Sequence, residues 1–214
     1  IYTLSLHDAL PIWSLDFLSE DFSNGKQMID NVHKKHAHFM ISIWASFGPQ
    51  TQQSRELNEK GLLLPIETWP QSGLSHIWPP RMDYPSGVKV YDAFSPVARD
   101  IYWKYLKKLY DYGTDAWWMD STDPDFFNPR ESDYQHPVTG GTWRSLRNAF
   151  PLETVRGIYQ SQRKDDRGKR IFIMTRSSFA GQQHYGSDMW SGDVTSSWDM
   201  LRKQLPAGLS FSLT

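Results

Sequence analysis

The sequence of 214 residues is 39% hydrophobic and 22% charged, a composition typical of a folded globular protein rather than a disordered one. Its net charge of -1 gives no field that would attract nucleic acid or an anionic membrane, and no apolar run approaches the ~20 residues of a membrane-spanning helix. Because cysteine is absent, disulfides and thiolate chemistry are excluded, but the cellular compartment is left open.

The first twelve residues, IYTLSLHDALPI, differ in character from everything that follows. In-frame back-translation of this stretch gives a common sequencing-library adaptor. We therefore expect residues 1–12 to be a non-native tail that is not part of the fold. The sequence stops on an apolar run, GLSFSLT, so we expect residues 13–214 to be a domain truncated at both ends.

The first predicted elements are a helix and a strand. Residues 24–37 place apolar side chains on one helical face, with Asn24 as the candidate N-cap. Residues 38–44, HFMISIW, are β-branched and aromatic and predict a strand. Residues 45–94 are rich in proline, glycine and aromatic residues, and we expect an irregular functional loop there.

Residues 95–113 are the clearest predicted helix. Ser95 is its expected N-cap, and Pro96 occupies the first turn, where proline is favoured. The helical spacing of apolar residues predicts which side chains face the core. They are Val97, Ile101, Tyr105 and Leu109.

The alternation of strands and helices continues to the end of the sequence. The remaining predicted strands are residues 115–120, 169–177, 188–193 and 208–213, and the remaining helices are 151–164 and 195–205. Apolar strands joined by helices indicate an α/β fold with a parallel sheet covered on both faces, either a (β/α)8 barrel or an open doubly wound sheet. No strand is followed by a glycine-rich phosphate loop, which weakens the doubly wound, nucleotide-binding alternative.

Several predicted strands end on residues that can carry chemistry. These residues are Trp44, Asp120, Arg176 and Asp193. In a (β/α)8 barrel the carboxyl ends of the strands face the active site, so two carboxylates and a guanidinium would converge there among tryptophan side chains. Two facing carboxylates are the minimum for glycoside hydrolysis, in which one attacks or activates water and the other protonates the leaving oxygen.

Each of these charged residues also has a structural interpretation. Asp120 can be a turn former at the end of its strand, with STDPD as simple turn chemistry. Asp193 can be the N-cap of the helix that starts near Thr195. Arg176 can be a partner in a structural ion pair. The residue pattern alone leaves these alternatives open.

Two groups of residues raise the question of a metal site: Asp120, Asp123 and Asp125, and the histidines His33, His36 and His38. The acidic group lacks the regular ligand spacing and glycine of a calcium loop. The histidines fall at a helix end and a strand start, on different faces, and we expect them to be solvated. We therefore expect no metal and no organic cofactor.

Two longer motifs carry a family resemblance. DAWWMDSTDPD, residues 115–125, is similar to the nucleophile motif of glycoside hydrolase family 31, in which a strand ending in W-x-D carries the catalytic aspartate. RSSFAGQQHYGSDMWSGD, residues 176–193, resembles the arginine-containing strand of that family and the W-x-G-D acid/base motif after it. Four further segments, HFMISIW, YDAFSPVARDIYW, NAFPLETVRGIYQSQR and LRKQLPAGLSFSL, match in order and approximate spacing.

The resemblance implies a partial (β/α)8 TIM barrel that contains strands three to seven and is truncated at both ends, with residues 13–214 as an incomplete catalytic domain. It implies Asp120 as nucleophile and Asp193 as general acid/base. The sugar subsite would be lined by Trp118, Arg176 and Trp190, with Trp44 beside them. The implied substrate is an oligosaccharide or glycoside with a terminal α-linked xylose or glucose.

The double tryptophan at 117–118 and the aromatic loop look most like bacterial members that act on α-xylosides. One departure concerns Asp123, where the family commonly has glutamate. This change retains the carboxylate but shortens its reach. Two alternative functions are a non-catalytic carbohydrate-binding barrel, which would be expected to lack one of the two carboxylates, and a metal-dependent hydrolase. We expect the isolated chain to be inactive and prone to aggregation, because a barrel that lacks strands has open edges.

Overall fold

A computed structural model describes residues 24–49, 51–67, 88–120, 122–123 and 130–212. The helices, in chain order, are α1 (Gly25–His33), α2 (Gln52–Glu59), α3 (Pro96–Asp111), α4 (Glu131–Gln135), α5 (Trp143–Leu146), α6 (Phe150–Asp165) and α7 (Trp198–Ser212). The strands are β1 (Met40–Trp44), β2 (Ser46–Phe47), β3 (Leu63–Glu67), β4 (Lys89–Tyr91), β5 (Ala116–Asp120), β6 (Pro137–Val138), β7 (Gly141–Thr142), β8 (Ile173–Thr175) and β9 (Ser187–Met189). The predicted tail at residues 1–12 and the acidic residue Asp125 lie outside these ranges.

The central sheet has the order β1-β5-β8-β9, and each neighbouring pair is parallel. Trp44 stands opposite Asp120 across the β1–β5 pair, and Thr175 stands opposite Met189 across the β8–β9 pair. The chain order of the strands therefore equals their spatial order, as in a barrel wall. The predicted α/β fold with successive parallel strands is confirmed for these four strands.

Strand β5 separates its two tryptophans onto opposite faces, because side chains alternate along a strand. Trp117 is 1% exposed, donates its indole N–H to Gln162 of α6, and packs edge-on against Trp103 of α3. Trp118 and Asp120 are on the other face and are partly exposed. Trp117 is therefore a core residue, and Trp118 shares its face with the carboxylate.

Helix α3 begins as predicted, with the Ser95 hydroxyl accepting the N–H of Ala98. Ile101 and Leu109 are buried, in agreement with the expected core face. Val97 was assigned to that face wrongly, since it is 52% exposed. The buried stripe passes instead through the following residue, Ala98, which leaves Val97 in the first turn facing outward.

Residues 45–94 are more regular than predicted. They contain helix α2 and a three-stranded antiparallel sheet of order β2-β4-β3. Proline is tolerated in β3 because the register shifts between Leu63 and Glu67, and proline is found at such irregularities in strands. The buried side chains Phe47, Ile66 and Val90 supply the core of this small sheet. Residues 68–87 of the expected loop lie outside the described part of the chain.

The strand predicted at residues 208–213 is wrong for the part that the structure describes, since residues 208–212 continue helix α7. A strand must find its backbone partners on a neighbouring strand, whereas a helix satisfies them within itself. Leu201, Leu205 and Leu209 of α7 are each more than half exposed. The apolar run therefore reflects one helical face rather than a strand.

Within the described ranges, no helix has the length and apolar character needed to cross a bilayer.

Asp115 joins three elements at the amino end of the sheet. Its Oδ2 lies 2.7 Å from His33 Nε2 at the end of α1 and accepts the backbone N–H of Phe39, just before β1, at 2.8 Å. Lys169 Nζ, just before β8, lies 2.9 Å from Oδ1. Burial raises the pKa of this carboxyl, but hydrogen bonds from Lys169, Phe39 and His33 outweigh that effect and lower the pKa to about 2.

We expect Asp115→Asn to lower the stability of the full-length protein at neutral pH by about 2–3 kcal/mol, because the pKa of Asp115 is depressed and its partners would lose their carboxylate. The ionised Asp115 carboxylate contributes this stability in full at a pH above its pKa in the unfolded chain. The contribution is lost as the pH falls from about 4 to about 2. Thermal unfolding at pH 7 should show a midpoint lowered by about 5–10 °C, and the difference from wild type should shrink at low pH. Equal midpoints for Asp115→Asn and the exposed control Asp100→Asn would contradict this.

Candidate active site

The carboxyl edge of the central sheet brings together two of the predicted charged residues. Asp120 is the last residue of β5, and Arg176 follows the last residue of β8. Arg176 Nε lies 3.7 Å from Asp120 Oδ1, and both side chains are about one-fifth exposed, at 20% and 22%. A partly buried guanidinium at this distance favours the ionised form of a carboxylate, as a nucleophile requires.

A second carboxylate, Asp123, also contacts Arg176. The Arg176 Nε–H donates to Asp123 Oδ1 at 2.9 Å, and the Asp123 side chain is 49% exposed. The loop that carries Asp123 is tied to the sheet by the buried hydroxyls of Thr122 and Thr175, whose oxygens lie 2.6 Å apart. The shorter side chain at position 123 therefore still reaches the arginine.

Two tryptophans lie at the same edge and contact each other. The rings of Trp118 on β5 and Trp190 just after β9 meet edge to face, with centroids 5.6 Å apart at 78°. Both residues are partly exposed. Such a pair gives an apolar wall with polar ring edges, which suits the faces and hydroxyls of a sugar.

Asp193 lies four residues beyond β9 and is exposed. Gly192, immediately before it, has a φ of 78°, a left-handed conformation that favours glycine. The N-cap interpretation of Asp193 does not hold, because α7 begins at Trp198 and the Ser197 hydroxyl accepts the N–H of Met200. Asp193 therefore lies in the segment between β9 and α7, three residues after Trp190, and does not cap a helix.

Trp44 stands opposite Asp120 at the end of β1, but it is only 7% exposed. Its backbone carbonyl accepts the hydroxyl of Tyr102 from α3 at 2.7 Å. Any part of Trp44 that reaches a ligand must therefore be a small edge of the ring. Its predicted place in a sugar subsite remains a prediction.

A glutamine that the sequence analysis did not single out joins the two strands that carry Arg176 and Trp190. Gln182 is 2% exposed, and its amide donates to the carbonyl of Ser177 at 2.9 Å and to the Ser187 hydroxyl at 3.2 Å. It lies in a 3₁₀ turn of residues 182–185 between β8 and β9. The signal for it in the sequence is weak, because polar residues in turns are usually exposed.

Gly186 closes that turn immediately before β9. Its φ is 64°, and an added Cβ would lie 2.9 Å from the carbonyl oxygen of Ile171. We expect Gly186→Ala to destabilise the protein by more than the roughly 1 kcal/mol of the backbone strain alone, because the contact is with backbone that cannot move aside. The matched control is Gly61→Ala, where φ is nearly the same, at 66°, but nothing lies within 4 Å. Thermal unfolding should show the larger loss for Gly186→Ala, and equal losses would contradict the clash.

The histidine group does not behave uniformly. His36 and His38 are exposed, as expected, but His33 is paired with Asp115 at the opposite end of the sheet from Asp120. Among the described residues, no three or more histidine, aspartate or glutamate side chains are grouped so that they could hold a metal ion.

Comparison with known proteins gives a consistent result. The sequence model of the glycosyl hydrolases family 31 TIM-barrel domain matches residues 7–214. The alpha-xylosidase of Saccharolobus solfataricus is 34% identical over 204 residues, which cover 92% of this chain and 24% of that protein. An alpha-glucosidase of the same organism is 25% identical over 218 residues, which cover 90% of this chain and 30% of that protein.

Among solved structures, the family 31 alpha-xylosidase of Xanthomonas citri is similar in fold, with a TM-score of 0.77 and 33% identity. The match covers 92% of this chain and 21% of that one. The chain thus spans about a quarter of the length of the relatives that it matches.

Proposed function

The chain belongs to glycoside hydrolase family 31, and on that premise we propose that the full-length protein containing it is a retaining exo-α-glycosidase. Its substrates are glycosides or oligosaccharides with a terminal α-linked xylose or glucose. The observation that carries the proposal is the shared carboxyl edge of β5, β8 and β9: Asp120 is the last residue of its strand, and Arg176 and Trp190 directly follow theirs.

In the proposed first step, Asp120 attacks the anomeric carbon while Asp193 protonates the departing oxygen. A covalent ester between the sugar and Asp120 results. Asp193 then acts as a base and activates a water molecule, which releases the sugar with its α configuration retained. This double displacement requires the two carboxyl groups to be about 5–5.5 Å apart in the substrate complex.

The remaining residues at the edge have supporting roles in this proposal. Arg176 keeps the carboxylate of Asp120 charged and stabilises charge as the oxocarbenium-like state develops. Trp118 and Trp190 form one wall of the subsite that holds the reacting sugar. The more exposed position of Asp193 is suited to exchanging protons with a leaving group and with water.

Xylose is the sugar that we favour, because the xylosidases of Saccharolobus solfataricus and Xanthomonas citri are 34% and 33% identical over 92% of this chain. The alpha-glucosidase of Saccharolobus solfataricus, which matches a similar share of 90%, is 25% identical. The test is a comparison of kcat/KM for paired aryl α-xyloside and aryl α-glucoside substrates with the full-length protein. A preference for the xyloside supports the proposed sugar. Activity on neither substrate would contradict the proposed function, and turnover abolished by a chelator would support a metal-dependent hydrolase instead.

A further inference from the structure

One arginine at the carboxyl edge is shared by two carboxylates at different distances. Arg176 Nε donates to Asp123 Oδ1 at 2.9 Å, whereas Asp120 Oδ1 lies 3.7 Å away, beyond hydrogen-bond distance from that nitrogen. The shorter distance to Asp123 is unexpected, because the Asp123 side chain is the more exposed of the two, at 49% against 22% for Asp120. Water competes more strongly for an exposed group, so the closer pairing must be favoured by the position of the loop.

The position of that loop is set by buried groups. Thr122, which directly precedes Asp123, is fully buried, and its hydroxyl pairs with that of Thr175 at 2.6 Å. Thr175 directly precedes Arg176, and its hydroxyl also donates to the carbonyl of Ser177. The hydrogen bond between Thr122 and Thr175 therefore fixes the loop that carries Asp123 to the end of β8, directly before Arg176.

We propose that Asp123 is a positioning residue for the reaction. Asp123 holds the Arg176 guanidinium away from Asp120, so that the guanidinium balances the charge of Asp120 without donating a hydrogen bond from Nε to the attacking oxygen. This inference rests on the proposed function. It extends that function by assigning a role to a residue that does not touch the reacting atoms. Asp123 acts through Arg176.

The charges around Asp120 give the proposal a measurable consequence. The charged groups that face it include Arg176 from β8 and Asp123 from its own loop, with Asp193 beyond β9, while its neighbour strand β1 ends in the uncharged Trp44. Without Asp123, the guanidinium loses the nearer of these two carboxylates, and Coulomb attraction to Asp120 becomes stronger relative to that lost pairing. A direct pair favours the ionised carboxylate more strongly and makes it a weaker nucleophile.

The test uses Asp123→Ala, Asp123→Asn and Asp123→Glu in the full-length protein, assayed on an aryl α-glycoside across pH. We expect Asp123→Ala to lower kcat/KM by about 10–100-fold, mainly through kcat, because the positions of reacting groups are altered. Its acid limb, which reports ionisation of the nucleophile, should move to lower pH by about one unit. Asp123→Asn retains an acceptor for Nε–H but not the charge, so its acid limb should move in the same direction, with a smaller loss of kcat.

The conservative variant and a control separate positioning from a structural role. Asp123→Glu restores the carboxylate and should retain kcat/KM within about threefold of wild type, with an unmoved acid limb. The control Asp100→Ala removes an exposed carboxylate from α3 and should change neither quantity. Thermal unfolding of each variant shows whether the fold is intact, and Asp123→Asn remains informative if the alanine variant does not fold.

The acid limb decides the outcome. An unmoved acid limb in both Asp123→Ala and Asp123→Asn overturns the inference, whatever the change in kcat, because a structural role would lower activity without moving it. In that case an active wild-type protein leaves the proposed glycosidase function intact. A wild-type protein inactive on both aryl glycosides would instead overturn the proposed function, and this inference with it.

Discussion

Replacing Asp120 by alanine should abolish turnover of an aryl α-glycoside by the full-length protein, with kcat lowered by about 10⁴-fold or more. Asp120 ends β5 at the edge where Arg176 lies 3.7 Å away, and no covalent intermediate can form without its carboxylate. Steady-state kinetics measure the loss. Asp100→Ala, which removes an exposed carboxylate from α3, should leave kcat and KM unchanged.

Azide distinguishes the loss of a nucleophile from general damage to the site. In Asp120→Ala a small space opens beside the anomeric carbon, so added azide can attack directly and restore consumption of an activated substrate. Because this is one displacement, the glycosyl azide should have the β configuration. Wild-type activity in the variant, or a product azide with the α configuration, would contradict the assignment of Asp120.

Replacing Asp193 by alanine should have the second largest effect, and its size should depend on the leaving group. General acid catalysis contributes about 10²–10⁴-fold. A substrate with a poor leaving group should therefore lose that much in kcat/KM, whereas one with an activated aryl leaving group, which departs without protonation, should lose far less. The basic limb of the pH profile should disappear, because it reports the protonated acid.

Azide gives the opposite stereochemistry in this variant. Asp120 is still present in Asp193→Ala, so the covalent ester forms and accumulates, and azide attacks it in a second displacement that needs no base. The glycosyl azide should have the α configuration. An equal loss for both leaving groups, or a basic limb that stays in place, would contradict a role for Asp193 in proton transfer.

The sequence predicted the parallel strands and the helices between them well, because hydrophobic periodicity and capping residues are local signals. Asn24 caps α1 and Ser95 caps α3, as their side chains indicated. Residues 208–212 could not be assigned from the same signals, since a short apolar run fits a strand or one helical face equally well. The small sheet of β2, β3 and β4 was missed because Pro65 and several glycines suggested loop structure.

The candidate site was predicted in part. The strand-end rule places Asp120 and Arg176 at one edge, because parallel strands share a direction. Pairings between distant residues carry no local signal, so neither the contact of Asp123 with Arg176 nor the link made by Gln182 could be read from the sequence. The sequence also did not show which of two neighbouring tryptophans is buried. The structure places Trp117 in the core and Trp118 on the face that carries Asp120.

The central claim is that Asp120 becomes covalently bonded to the sugar, and trapping that bond tests it most directly. A 5-fluoroglycosyl fluoride of the preferred sugar reacts quickly to form the ester, and this ester hydrolyses slowly. The labelled peptide can therefore be found by mass spectrometry after proteolysis. We predict one label per active site, on Asp120, and no label in Asp120→Ala. A label on a different residue, or a first product of inverted configuration with no label at all, would contradict the account.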